Sequence, residues 1–288
     1  MMKKLNYFLG ILAVIVVAVA CKPKSCIEFT VGGDDSETKV KISDSLSYVV
    51  LSKPQVTNFD QAPKDKDGFI SLFNGKDFNG WRGYDRNDMP GKWSIENGAI
   101  KISGSGTGEA HSSDGGDIIF ARKFKNFELS FEWKVDKGSN SGVFYMAQEI
   151  KGQPIWISAP EYQILDNINH PDAQLGVNGN RQSASLYDMI PADPQNAKPI
   201  GEWNQGGIMV YKGTVVHKQN GKNVLEYHLW TPKWNELIAN SKFKPGGDYP
   251  LAYSLLTNLG GDNKEGYIGL QDHGDNVWYK NIRIKILE

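Results

Sequence analysis

The chain has 288 residues, 40% hydrophobic and 23% charged, with 32 Lys and Arg against 33 Asp and Glu for a formal net charge of −1. That balance excludes a mostly disordered chain and removes the electrostatic argument for nucleic acid, so no nucleic-acid partner is expected. With 31 glycines, 8 Trp, 12 Tyr and 12 Phe, the composition favours short strands and tight turns over a helical bundle, in a chain long enough for a sizeable core.

In chain order, Lys3 and Lys4 precede an apolar stretch from Phe8 to Ala20, followed by Cys21. The stretch falls short of the roughly 20 residues that span a bilayer but suits a signal-peptide core. Ala18-Val19-Ala20-Cys21 resembles a bacterial lipobox, in which the cysteine is lipidated and becomes the mature N-terminus. Residues 1–20 are therefore expected to be a lipoprotein signal peptide and Cys21 the lipidation site, placing the protein in the bacterial cell envelope, periplasmic or surface-exposed. An ordinary cleaved leader is the alternative. Cys26 then remains as an incidental thiol, a Cys21–Cys26 disulfide being the rival reading.

Residues 21–67 read as a tether: Asp34, Asp35, Ser36 and Glu37 look solvated, Leu46–Leu51 offers an extra strand, and Thr57–Gly68 reads as a linker. The main domain is expected over residues 68–288. Its pattern is mostly period two. Phe127, Leu129, Phe131, Trp133 and Val135 share one face of a strand and Glu128, Ser130, Glu132 and Lys134 the other. At the end of the chain Ile282, Ile284 and Ile286 should point inward and Asn281, Arg283 and Lys285 outward. Asn97-Gly98 and Asn220-Gly221 predict tight hairpins. A short helix should follow Thr231-Pro232, with Trp234, Leu237 and Ile238 at helical spacing. The fold class is all-β, a jelly-roll β-sandwich with one or more short helices.

The chemistry centres on E-Y-Q-I-L-D, residues 161–166. Alternation puts Glu161 and Gln163 on one face and Tyr162 and Ile164 on the other, and a bulge before Asp166 would return that carboxylate to the first face. A carboxylate and amide in a row on a sheet face suggest a concave binding surface, the bland alternative being a solvent-facing strand. The spacing is similar to the paired-acid strand of jelly-roll glucanases, but Gln163 replaces the middle acid and cannot serve as a base, so the two-carboxylate mechanism is poorly supported. In G-L-Q-D-H-G, residues 269–274, Gln271 and His273 share a face. His217 is a third candidate, and it forms an acid–base set with Glu161 and His273 if their strands adjoin.

No cofactor is expected, with loop calcium or another divalent metal left open. His170, Asp172, His217, His228 and His273 lack metal-motif spacing, and N-H-P-D at 169–172 reads as a turn. Asp114 with Asp117, or Asp262 with Glu265, leave loop calcium open without completing a calcium loop. Trp81, Trp93, Trp133, Trp203 and Trp278 read as core, whereas Trp156, Trp230 and Trp234 are better placed for the rim of a sugar site.

Six ordered segments together carry a resemblance. They are F-I-S-L-F-N-G-K-D-F-N-G-W (69–81), W-S-I-E-N-G-A-I (93–100), S-N-S-G-V-F-Y (139–145), E-Y-Q-I-L-D-N (161–167), S-L-Y-D (185–188) and G-L-Q-D-H-G-D-N-V-W-Y-K-N-I-R-I (269–284). The chain resembles the 3-keto-disaccharide hydrolase domain family over roughly residues 69–288. The resemblance implies a concanavalin A-like jelly roll, often secreted or lipid-anchored, that cleaves glycosides oxidised to a ketone at C3 by 1,2-elimination and hydration. Such chemistry needs a base for the C2 proton and an acid for the departing oxygen, but no carboxylate nucleophile. On that basis Glu161 is the expected base and His273 or His217 the acid. Gln163, Gln271 and Asn140 would bind sugar hydroxyls or the enolate, Asp166 would orient a histidine or bind a hydroxyl, and Tyr187 would line the site. The rivals are a non-catalytic glycan-binding module and a conventional glycoside hydrolase.

Overall fold

The structure, a computed structural model, describes residues 27–104 and 114–288, so the leader, Cys21 and Cys26 lie outside the described residues. In chain order its first strands are β1 (Val31–Gly32), β2 (Ser36–Lys41), β3 (Ser47–Ser52), β4 (Gln55–Val56), β5 (Ile70–Ser71), β6 (Trp81–Gly83), β7 (Trp93–Glu96), β8 (Ala99–Ile102) and β9 (Ile118–Phe120). There follow β10 (Phe127–Val135), β11 (Asn140–Ala147), β12 (Glu161–Leu165), β13 (Asn204–Tyr211), β14 (Thr214–Gln219) and β15 (Lys222–His228). Helices α1 (Pro232–Ala239) and α2 (Ala252–Thr257) precede β16 (Tyr267–Leu270) and β17 (Val277–Ile286). One sheet runs β15-β14-β13-β10-β17-β8-β7 with β5 also on β17, and the opposing sheet runs β12-β11-β16-β9-β6. All the pairings are antiparallel. This is the jelly-roll sandwich that the period-two pattern requires.

Burial in β10 alternates without a break, with Phe127, Leu129, Phe131, Trp133 and Val135 inward. Across the gap they meet Val143 and Tyr145 of β11, Tyr162 and Ile164 of β12, and Ile268 and Leu270 of β16. Phe131 and Tyr162 make the contact edge to face, with ring centroids 5.3 Å apart. Asn97-Gly98 turns β7 into β8 and Asn220-Gly221 turns β14 into β15, all four residues at positive φ as a two-residue hairpin demands. Thr231 caps α1, accepting a hydrogen bond from the Trp234 amide at 3.1 Å.

Several details depart from the expected pattern. Asn281, at φ 51°, sits in the register shift between Ser130 and Glu132 on the partner strand, so Val277 and Tyr279 point inward before it and Ile282 and Ile284 after it. Ile286, expected inward, is 45% exposed at the end of β17. Trp203 and Trp278 are half-buried rather than core, each lying beneath lysine ammonium groups: Lys134 and Lys280 over Trp203, Lys101 and Lys134 over Trp278. Trp234, expected at a rim, is fully buried and donates to the Leu256 carbonyl at 2.9 Å. The extra strand expected at Leu46–Leu51 is present as β3, paired with β2, but the described part of the expected tether is also packed, with Phe29, Val56, Phe59 and Ala62 joining the main core. Phe59 falls inside the stretch read as a linker, where Gly, Pro and charged neighbours hid a single buried aromatic anchor.

The far edge of the five-stranded sheet holds a buried ion pair. Arg82 of β6 meets Glu149 through two bonds, Nη1–Oε1 at 2.6 Å and Nη2–Oε2 at 2.8 Å, and Glu149 also accepts from the Asp85 amide. The backbone carbonyl of Glu149 accepts from Leu51, so the same residue ties the β2–β3 hairpin to the sandwich. Glu149→Ala strands a buried guanidinium and should cost about 3–5 kcal/mol in urea denaturation. Removing the exposed Lys41–Asp44 pair should leave the urea midpoint unchanged.

Candidate active site

The polar cleft forms on the outer face of the five-stranded sheet, where β12, β11 and β16 lie side by side. Because Tyr162 and Ile164 are committed to the core, Glu161 and Gln163 must face outward, and both are nevertheless buried. Gly142 of β11 stands opposite Gln163 in register. A Cβ added at Gly142 would lie 2.3 Å from Glu161 Oε1, so this glycine gives the carboxylate its place against the neighbouring strand. Gln271 continues the sheet, its amide donating to the Gly142 carbonyl at 2.9 Å. Asn140, Glu161, Gln163, Gln271, His273 and Tyr187 all line this one cleft.

The lining is short of partners of its own. The buried Asn140 Oδ1 and Gln271 Oε1 have no hydrogen-bond donor among the described residues. Such oxygens call for a ligand bearing hydroxyl or N–H donors. Gln163 Oε1 is taken by the Ile164 amide at 2.9 Å, which leaves its NH2 group for a ligand. Burial pushes the Glu161 carboxyl up to about 8; Lys242 and His273 pull it down, and Asp117 and Asp172 push it further up. His273 Nδ1 lies 3.6 Å from Asp275 Oδ2, and the same carboxylate oxygen accepts from the Asn140 amide at 3.1 Å.

One lining residue, Lys242, had no signal in the chain's pattern, whereas Trp156, expected at the rim of a sugar site, also lines the cleft. Lys242 follows α1 in the turn Ser241–Phe243, and its amide donates to Asp188 Oδ2 at 2.7 Å. Asp188 and Asp172 are bridged by Arg181, with both contacts at 2.7 Å, and the Tyr187 hydroxyl donates to Asp172 at 2.8 Å. This network holds Tyr187 and Lys242 at the cleft. No sequence spacing links residues 172, 181, 188 and 242; only the folded chain does.

Two expected site residues lie elsewhere. His217 is fully buried between the sheets, its Nε2 at 2.7 Å from the Tyr145 hydroxyl and its Nδ1 at 2.9 Å from the Ala184 carbonyl. Burial lowers this imidazole to about 4, only partly offset by that carbonyl, so it stays neutral and structural near pH 7. Asp166 does not return to the cleft face, because β12 ends at Leu165 with no bulge. Its carboxylate instead accepts from the amides of Gly138 and Ile168 and from the Asn169 side chain, at 2.9, 3.0 and 2.6 Å. Burial alone would raise Asp166; those bonds outweigh it and hold the carboxyl below its ordinary range. It fixes the turn that follows β12.

His170, His273 and Asp275 each bring one potential ligand atom within 4.8 Å of the others. The Asp172 amide donates to His170 Nδ1 at 3.1 Å, however, which places the neutral ring's proton on Nε2. His170 is therefore set as a hydrogen-bond donor rather than as a metal ligand. Asp117 Oδ1 accepts from the Asp272 amide at 2.9 Å, so this carboxylate, considered for calcium, organises the Gln271–Gly274 turn.

The sequence matches the 3-keto-alpha-glucoside-1,2-lyase-like domain over residues 68–285. The chain belongs to this family. A 3-keto-disaccharide hydrolase of Bacteroides thetaiotaomicron is 55% identical over 296 aligned positions, covering 100% of both chains. Two solved structures of Parabacteroides distasonis proteins assigned as glycosyl hydrolases share the family's fold. One is 28% identical with a TM-score of 0.64, covering 77% of this chain and 95% of that protein. The other is 26% identical with a TM-score of 0.55, covering 76% and 99%. The domain match starts at residue 68, whereas the packed structure already includes Phe29 and Phe59, so the folded unit extends beyond the family's segment on its N-terminal side.

The raised Glu161 carboxyl also ties stability to pH. Between its ordinary 4.5 and about 8 the folded chain holds this proton more tightly than the unfolded chain, so stability falls as pH rises through that window. Glu161→Gln removes the effect. Relative to wild type it should be near neutral at the acid end and more stable by roughly 1–4 kcal/mol above the window, read from urea denaturation on both sides of it. Parallel pH profiles would show that Glu161 ionises normally in the fold.

Proposed function

We propose that this protein cleaves glycosides that carry a ketone at C3, by removal of the C2 proton and loss of the C1 substituent. The observation that carries the reading is the convergence of Glu161 and His273 on one cleft in which, among the described lining residues, no second carboxylate stands beside Glu161 as a nucleophile. A C3 ketone acidifies the C2–H bond. Glu161 takes that proton, the electron pair forms the enolate, and the enolate expels the C1 oxygen as His273 protonates it. The products are the freed alcohol or sugar and an enone. Addition of water at C1, with return of a proton to C2, completes net hydrolysis. Gln163, Gln271 and Asn140 bind hydroxyls of the sugar, and the Asn140 and Gln271 oxygens that lack donors suit hydroxyl groups. The name of the relative from Bacteroides thetaiotaomicron, a 3-keto-disaccharide hydrolase, supports the same substrate class.

The test is release of aglycone from 3-keto-glucosides and from the parent glucosides. Turnover is expected for the keto compounds only, and cleavage of the parents alone would overturn the reading. Because the base must be ionised, kcat/KM should climb with pH until about 8. Glu161→Gln should lower kcat by about 10²–10⁴-fold.

The protein acts at the cell envelope, tethered by lipid on Cys21. Lys3 and Lys4, the apolar run from Phe8 to Ala20 and the cysteine that follows support this placement. Among the described residues no helix is long and apolar enough to cross a membrane. Cys21→Ala expressed in a bacterial host should lose labelling by a radioactive fatty acid and leave the membrane fraction; undiminished labelling would remove Cys21 as the anchor.

A further inference from the structure

Lys242 is held in an unusual setting for a lysine. Its ammonium lies over the rings of Tyr187, Trp156, Phe243 and Tyr249, 4.6, 4.8, 5.1 and 6.0 Å from their centroids. It shares the cleft with Glu161. The neighbouring acids are committed elsewhere: Arg181 engages both Asp172 and Asp188, and the second oxygen of Asp188 receives the Lys242 amide. Aromatic faces attract a cation without consuming its N–H donors, so the charge is stabilised while its hydrogen-bonding capacity stays available to a ligand. Burial lowers the ammonium's proton affinity; Glu161, Asp188 and Asp172 oppose that, and Arg181 adds to it.

We propose that Lys242 is a catalytic residue whose ammonium receives the negative charge that develops on the C3 oxygen as Glu161 withdraws the C2 proton. The proposal rests on the elimination reading above. Carbonyl and C2–H are adjacent on the sugar, and Glu161 and Lys242 line the same cleft, one carried by the sheet and the other by the loop bonded to Asp188. A fixed cation in a water-poor cleft acts on charge that exists only in the transition state and the enolate, so it accelerates the reaction rather than merely tightening binding. A substrate bound with its ketone toward Lys242 also presents C2–H toward Glu161, which makes the pair a device for telling a keto-sugar from its parent alcohol. No covalent bond to the lysine is involved: the amine keeps its proton, and the carbonyl oxygen stays on the sugar.

The experiment follows proton abstraction apart from bond cleavage. A 3-keto-1,5-anhydroglucitol has the ketone and the C2 proton but no leaving group at C1. In deuterated buffer, wild-type protein should exchange the C2 proton, seen by NMR, with the C4 proton as internal control. Lys242→Met should slow that exchange by about 10²–10³-fold while the analogue's Kd changes far less. Lys242→Ala should regain part of the exchange when methylammonium is added, a rescue that a structural role would not give, and it serves if the Met variant folds poorly. Exchange at the wild-type rate in Lys242→Met, or a borohydride-trapped sugar adduct on Lys242, would overturn the proposal. No C2 exchange by wild-type protein would instead overturn the elimination reading on which it stands.

Discussion

The Glu161 carboxylate lies against the bare backbone of Gly142, out of bulk water, and the geometry of the cleft depends on that contact. Any side chain at Gly142 would occupy the carboxylate's own position. Without the glycine, Glu161 would have to swing away from β11 and leave the row it shares with Asn140 of β11 and Gln271 just beyond β16. Burial also sets the chemistry. General-base efficiency is greatest when the proton affinity lies near the operating pH, and a glutamate pushed up to about 8 is matched to that task near neutral pH.

The rest of the sandwich makes this burial tolerable. On the inner side of β12, Tyr162 packs on Phe131 and its hydroxyl donates to the Lys218 carbonyl at 3.0 Å, anchoring the edge strand to the opposite sheet. Beneath β11 the Tyr227, Tyr145 and His217 side chains form a hydrogen-bonded chain, with contacts of 2.6 and 2.7 Å that leave few polar atoms in the core unpaired. On the outer side a small apolar cluster of Ile119, Phe144, Ile155 and Tyr267 covers the remainder of the sheet. One sheet face thus serves partly as core and partly as site. The loop network around Asp172, Arg181 and Asp188 then closes the cleft from above and supplies Lys242 and Tyr187 on rigid supports.

Alternation made much of this readable in advance. In E-Y-Q-I-L-D the apolar residues fixed which face was core, so Glu161 and Gln163 could be assigned to the other face without coordinates, and the same logic placed Gln271 with His273. The Asn-Gly turns and the Thr-Pro helix start were legible because their backbone requirements are local. His217 misled because a strand histidine carries no mark of which sheet face it occupies, and its neighbours Val215 and Val216 are both buried. Asp166 misled because a bulge and a strand end look alike in sequence.

The sequence by itself determined the fold class, the family and the row of polar residues on one sheet, since each of these follows from local periodicity or from ordered motifs. Only the tertiary structure decided which acids and bases meet. The position of Lys242 over four aromatic rings, the Arg181 bridge between Asp172 and Asp188, and the removal of His217 to the core depend on contacts between segments far apart in the chain. So does the elevation of Glu161, because a proton affinity is set by how much water and which charges surround a group, and those are properties of the packed molecule rather than of its neighbours in sequence.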